Sequence, residues 1–144
     1  MSVLIDSSIT IYEALQNIKD GKYVMPAFQR QYVWSMEQIE KLWDSILLDY
    51  PIATFLFWHV DDDNVTWDTY FCNFLSSVTF DSRKQADSVN YELSSIDVKL
   101  TDTAVLDGQQ RLTSLYLSLF GDAFIRQKHA RKKSGGGIVT KLLI

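Results

Sequence analysis

The stretch "AVLDGQQRLTSLYLSLF", Ala104 to Phe120, changes character midway. Small and branched apolar residues open it, and Leu112, Leu115, Tyr116, Leu119 and Phe120 close it at helical spacing. Between the two lie an acid, a glycine, two amides and an arginine. The pattern predicts a strand ending at Leu106, a tight turn, and a helix from Gly108 to about Phe120. Asp107 is placed as the helix N-cap, with Gln110 at the N3 position. Gly108 allows a tight turn and close approach to its backbone. A strand, a turn and a helix amino terminus together make a ready anion site, because the first helical N–H groups lack internal partners. Arg111, one residue beyond, carries a planar fork suited to phosphate. Gln109 and Gln110 are placed to orient a phosphate oxygen or a water. The plainer alternative is a helix start whose Asp107 only caps and whose Arg111 is only solvated.

Working outward, two further helices announce themselves by capping boxes. Thr10 and Glu13 precede Ile11, Ala14, Leu15 and Ile18, with Gly21 as a stop. Ser35 and Gln38 precede Met36, Ile39, Leu42, Trp43, Ile46 and Leu47, a helix predicted to run to about Asp49 before Pro51. "KYVMPAF" reads as extended. "ATFLFWHV" and "NVTWDTYFCNFL" read as a strand pair around the polar turn "DDDN". Residues 76–95 read as an irregular insert. The basic run from Arg126 to Lys133 reads as a solvated helix end, with contact to a DNA backbone as the other possibility. After "SGGG", the terminal "IVTKLLI" reads as a strand without a partner, which suggests the front part of a longer protein. Trp34, Trp43, Trp58 and Trp67 are expected in the core, with base stacking the alternative.

Composition bounds the function. The chain has 144 residues, a net charge of −4, 47% hydrophobic and 13% aromatic residues, enough for a packed core. The acidic balance gives no general pull toward nucleic acid, so any phosphate site must be local. One cysteine and two histidines exclude an internal disulfide and argue against a zinc site. No secretory signal or membrane-spanning run is visible, so no membrane partner is expected and the chain reads as cytoplasmic.

A second segment sharpens the reading. "MPAFQRQYVW" sets Gln29 and Arg30 among Phe28, Tyr32, Val33 and Trp34. A cation within an aromatic run calls for an anionic partner. Arg30 is therefore expected to converge with Arg111 on one bound anion; pairing with a carboxylate is the alternative.

Taken in order, "P-x-FQR-x-YVW", "LWDSILLDYPI", "FW" and "VLDGQQRLTSL" resemble the N-terminal domain of the GmrSD family of bacterial restriction endonucleases. Asp49 and Ala53 depart from the glycine or other small residues expected beside the Tyr-Pro turn. The resemblance implies an α+β, ParB/sulfiredoxin-like fold, a small mixed sheet with flanking helices. It implies one such domain over residues 1–125, followed by a basic, glycine-rich linker over 126–144 and the start of a further segment. It further implies binding and hydrolysis of a nucleoside triphosphate in a modification-dependent restriction or anti-phage defence system. A non-catalytic nucleotide- or DNA-binding module is the alternative. The matching catalytic positions are Asp107, Gln109, Gln110 and Arg111. Those matching the phosphate site are Gln29, Arg30, Tyr32 and Gly108, with Asp44 and Ser45 on the second helix. Mg2+ would arrive with the triphosphate, and DNA and a C-terminal nuclease domain are the other implied partners.

Overall fold

The computed structural model describes residues 9–26, 31–59, 71–81, 83–86, 103–126 and 139–142. The fold is mixed α+β. Its elements are α1 (Ile11–Lys19), β1 (Tyr23–Pro26), α2 (Met36–Leu47), β2 (Leu56–His59), β3 (Phe71–Cys72), β4 (Ser77–Phe80), β5 (Thr103–Asp107), α3 (Gln109–Leu119), β6 (Asp122–Arg126) and β7 (Val139–Leu142).

Local chemistry sets the first two helices. Both predicted capping boxes form, Thr10 with Glu13 and Ser35 with Gln38. Both helices end in the same device. Gly21 at φ 72 donates to Ile18 O, and Lys22 N donates to Asn17 O. Asp49 at φ 59 donates to Ile46 O, and Tyr50 N donates to Ser45 O. This paired bonding closes a helix with a left-handed residue just past its end, a place that glycine takes readily and Asp tolerates. The second helix therefore stops at Leu47, short of the expected Asp49.

The strands form two sheets, ordered β2-β5-β1-β3 and β4-β6-β7. In the first, β1 and β5 run parallel in register Tyr23↔Thr103 and Val24↔Ala104, while β2 and β3 add antiparallel edges. This corrects the expected β2–β3 hairpin. β2 pairs with β5 and β3 with β1, so the two stand at opposite sides of the sheet. Both strands are aromatic and apolar, and burial on a sheet face satisfies such sequences equally well beside any partner. The turn "DDDN" and Trp67 lie outside the described residues.

The second sheet corrects three further expectations. Residues 77–80, within the presumed irregular insert, form β4, parallel to β6. Arg126 ends a strand rather than a helix, and Lys128, Arg131, Lys132 and Lys133 lie outside the described residues. The terminal segment has a partner: β7 pairs antiparallel with β6, from Ala123↔Leu142 to Arg126↔Val139.

α3 joins the two halves. Its Leu112 and Leu115 belong to a core with Leu15, Met25, Leu42 and Val105. Its Leu117 belongs to a second core with Tyr32, Val78, Phe80 and Ala123. Fully burying each such side chain contributes about 1.5–3 kcal/mol. A helix buried on two sides has a fixed axis, so its amino terminus is fixed as well. Trp34 and Trp43 pack partly buried against these cores, and Trp58 packs against Val24, Phe71 and Ala104 on the other face of the first sheet.

Candidate phosphate site at the start of α3

β5 delivers the chain to α3 through an irregular last step. Phe57 pairs with Val105 but Leu56 pairs with Asp107, so β5 carries one extra residue, Leu106, as a bulge. Asp107 is thereby held in the strand, and the helix N-cap is Gly108, not Asp107 as expected. Gly108 has φ 90, ψ 9, the left-handed region, and gives α3 no side-chain cap. The N–H groups of the first turn lack intrahelical acceptors and lie at the positive end of the helix dipole.

The side chains of Gln109, Gln110 and Arg111 each fasten a different piece of backbone. Gln109 Nε2 donates to Val105 O at 3.0 Å and Leu106 O at 2.7 Å, satisfying carbonyls at the bulge. The Gln110 amide grips the 31–33 segment from both ends: its Oε1 accepts from Val33 N at 3.0 Å and its Nε2 donates to Gln31 O at 3.1 Å. One turn on, Ser114 Oγ donates to Gln110 O at 2.7 Å, which leaves the Tyr32 hydroxyl, 2.8 Å away, to donate to Ser114 Oγ. Tyr32 is 1% exposed and points inward.

Arg111 reaches the third piece of backbone. Its Nη1 donates to Ile52 O, and its Nη2 to Thr54 O at 2.8 Å. Its guanidinium carbon stands 4.5 Å from the centre of the Phe55 ring. Asp107, largely exposed, lies 3.9 Å from Arg111 Nη2. A pair that long, with one partner in water, contributes little. The carbonyls and ring hold the guanidinium. Ala53, between the two accepting residues, has φ 71, and this left-handed step separates the two carbonyls that Arg111 bridges.

The site therefore comprises Asp107 to Arg111, with the 31–33 and 52–55 segments on either side. Gln29 and Arg30 lie outside the described residues, as does their expected convergence with Arg111. Asp44 is exposed on α2, and the Ser45 hydroxyl donates to Lys41 O at 2.9 Å. Among the described residues no hydrogen bond or ion pair joins either side chain to the turn. Sequence reasoning passed over Phe55 and Ser114. The signal for Ser114 was its i+4 spacing from Gln110; for Phe55 no local signal existed. Among the described residues there is no group of three or more His, Cys, Asp or Glu able to hold a metal, and no helix long and apolar enough to cross a membrane.

An uncharacterised protein of Methanocaldococcus jannaschii is 29% identical over 114 residues, 79% of this chain and 17% of that protein. The chain thus spans about a sixth of the curated relative it matches. Residues 11–141 match the model of the GmrSD restriction endonuclease N-terminal domain. The chain belongs to that family.

Proposed function

We propose that the turn from Asp107 to Arg111 binds the phosphates of a nucleoside triphosphate and supports its hydrolysis, within a restriction system acting on modified foreign DNA. The observation that carries this reading is the start of α3. A left-handed glycine at the carboxyl end of β5 opens a helix with no side-chain cap, and a guanidinium lies beside it. β1 runs parallel to β5, so Pro26 ends its strand at the same end of the sheet as Asp107, and Gln31, the next described residue, accepts from the Gln110 amide. On this reading Gln29 and Arg30 form the second wall, with Tyr32 buttressing it from inside. Asp44 and Ser45 are outlying members that would reach the ligand only through α2.

In hydrolysis, charge spreads over the transferred phosphoryl oxygens, and the protein acts by positioning and electrostatics. Arg111 and the α3 amino terminus would meet that charge. Gln109, whose Oε1 has no bond among the described residues, is better placed than Gln110 to hold a water. The donor set suits Mg2+ only as a phosphate-borne ion: Asp107 is a single exposed carboxylate, and this metal keeps waters and takes few protein ligands. When bound, the ion would neutralise phosphate charge. DNA and a C-terminal nuclease domain are the proposed partners.

A non-catalytic nucleotide- or DNA-binding module is the second reading. It is favoured by one observation: the Gln110 amide and the Arg111 guanidinium are already engaged with backbone. Titration with each of four triphosphates and magnesium, following binding and phosphate release, separates the two. Release that is lost in folded Arg111→Ala supports hydrolysis. Saturable binding without release supports the module, and absence of both refutes the site.

A further inference from the structure

We propose that the Ile52–Phe55 loop is a lid over the amino end of α3, latched by Arg111, and that a polyphosphate opens it by drawing the guanidinium onto itself. This rests on the phosphate-site reading above and adds its regulation.

The latch is visible in three contacts. Arg111 bridges the Ile52 and Thr54 carbonyls, and its guanidinium lies on the Phe55 ring, 4.5 Å from the centroid. The same ring covers the turn, since a Cβ on Gly108 would stand 2.3 Å from Phe55 Cδ1. Arg111 Nη2 would lie 3.3 Å from that Cβ, so the guanidinium stands beside the turn, next to the ring that covers it.

Apart from Arg111, the loop is held among the described residues by apolar packing alone: Ile52 and Phe55 lie against the first core, and the Phe55 and Phe57 rings stack with centroids 6.3 Å apart. Pro51, Ala53 and Thr54 are exposed, and Ile52 and Phe55 are only half-buried. Ala53 is held left-handed, a conformation costly for a residue with a Cβ. The guanidinium now holds two neutral carbonyls. Two oxygens of a phosphate match the same fork, and hydrogen bonds to an ionised acceptor are roughly twice as strong. An anion arriving at the α3 amino terminus therefore competes for Arg111 with an advantage. Once the guanidinium turns to it, the lid loses both carbonyl latches and the ring contact together, and Ala53 relaxes.

Hydrogen–deuterium exchange on the intact chain tests this with inorganic tripolyphosphate as the probe. Without ligand, Arg111→Ala should speed exchange across residues 50–57 at least about tenfold, the effect of losing hydrogen bonds from a charged donor. Unchanged exchange there overturns the latch. In the unsubstituted protein, which needs no variant to fold, saturating tripolyphosphate should slow exchange at 108–112 and speed it at 50–57. Slowing at 108–112 with 50–57 unchanged overturns the lid and leaves the phosphate site standing. No change in either segment overturns both.

Discussion

Phe55 and Gly108 occupy one space. The ring of Phe55 lies where a Cβ on Gly108 would stand, 2.3 Å from Cδ1, and Gly108 itself has φ 90. Two independent demands thus fall on one position. An L side chain resists the backbone conformation at a cost of about 1–2 kcal/mol, and the ring must also move. Gly108→Ala should destabilise the fold by about 2–4 kcal/mol in urea denaturation. Gly108→Ala with Phe55→Ala should recover the steric part and leave the backbone part. A single substitution that costs under about 0.5 kcal/mol would show that the turn is not left-handed in solution.

Gln110 acts like a short stretch of strand. By accepting from Val33 N and donating to Gln31 O, it offers backbone groups a side-chain ladder partner. Gln110→Ala should cost about 1–2 kcal/mol and accelerate exchange of the Val33 amide. Gln110→Glu keeps the acceptor for Val33 but sets a carboxylate against the Gln31 carbonyl, so it should recover only part of the protection. Equal Val33 exchange in all three proteins would show that the amide grip is absent in solution.

These two positions explain what was legible beforehand. The capping boxes of α1 and α2 rest on residues three apart, and such local reciprocity is written in the sequence. The strand-turn-helix at Gly108 was legible for the same reason. The roles of Gln110 and Arg111 were not, because their partners are backbone atoms far along the chain, to which side-chain identity gives no clue. Asp107 was misplaced as a cap because its pairing with Leu56 keeps it in β5, and that pairing is nonlocal. The β2–β3 hairpin failed likewise: adjacency in sequence favoured it, and the sheet order set the two strands apart.

Cys72 gives a pH signature. It is 1% exposed on β3, and burial pushes its thiol from the ordinary 9.0 up to about 11. A raised folded-state value means the contribution is fully present below pH 9, where both states are protonated. It is lost as pH rises through about 11, because the unfolded chain ionises first. The gap from 9.0 to about 11 corresponds to about 2–3 kcal/mol. Stability of the unsubstituted protein relative to Cys72→Ala should therefore be constant below pH 9 and fall between pH 9 and 11. A flat difference across that window would mean the thiol is solvated. Iodoacetamide at pH 8 should also label the native protein far more slowly than the urea-unfolded chain.

Ala53 holds a left-handed conformation, φ 71, between the two carbonyls that receive Arg111. Asp49, four residues earlier, has φ 59 but ends a helix, where Asp is tolerated. No such chemistry excuses Ala53: its methyl meets the following carbonyl at a cost of about 1–2 kcal/mol. Glycine removes that cost but has more unfolded conformations to lose, about 0.4–1 kcal/mol. Ala53→Gly should thus stabilise the protein by about 0.5–1 kcal/mol, while Ala53→Val, stiffened at Cβ, should destabilise it by more than that. Because the gain belongs to the closed loop, exchange across residues 50–57 should slow in Ala53→Gly, and Arg111→Ala should abolish the difference. If Ala53→Gly is less stable than the unsubstituted protein by more than about 0.5 kcal/mol, the loop does not need a left-handed residue, and the carbonyls of Ile52 and Thr54 reach Arg111 by some other path.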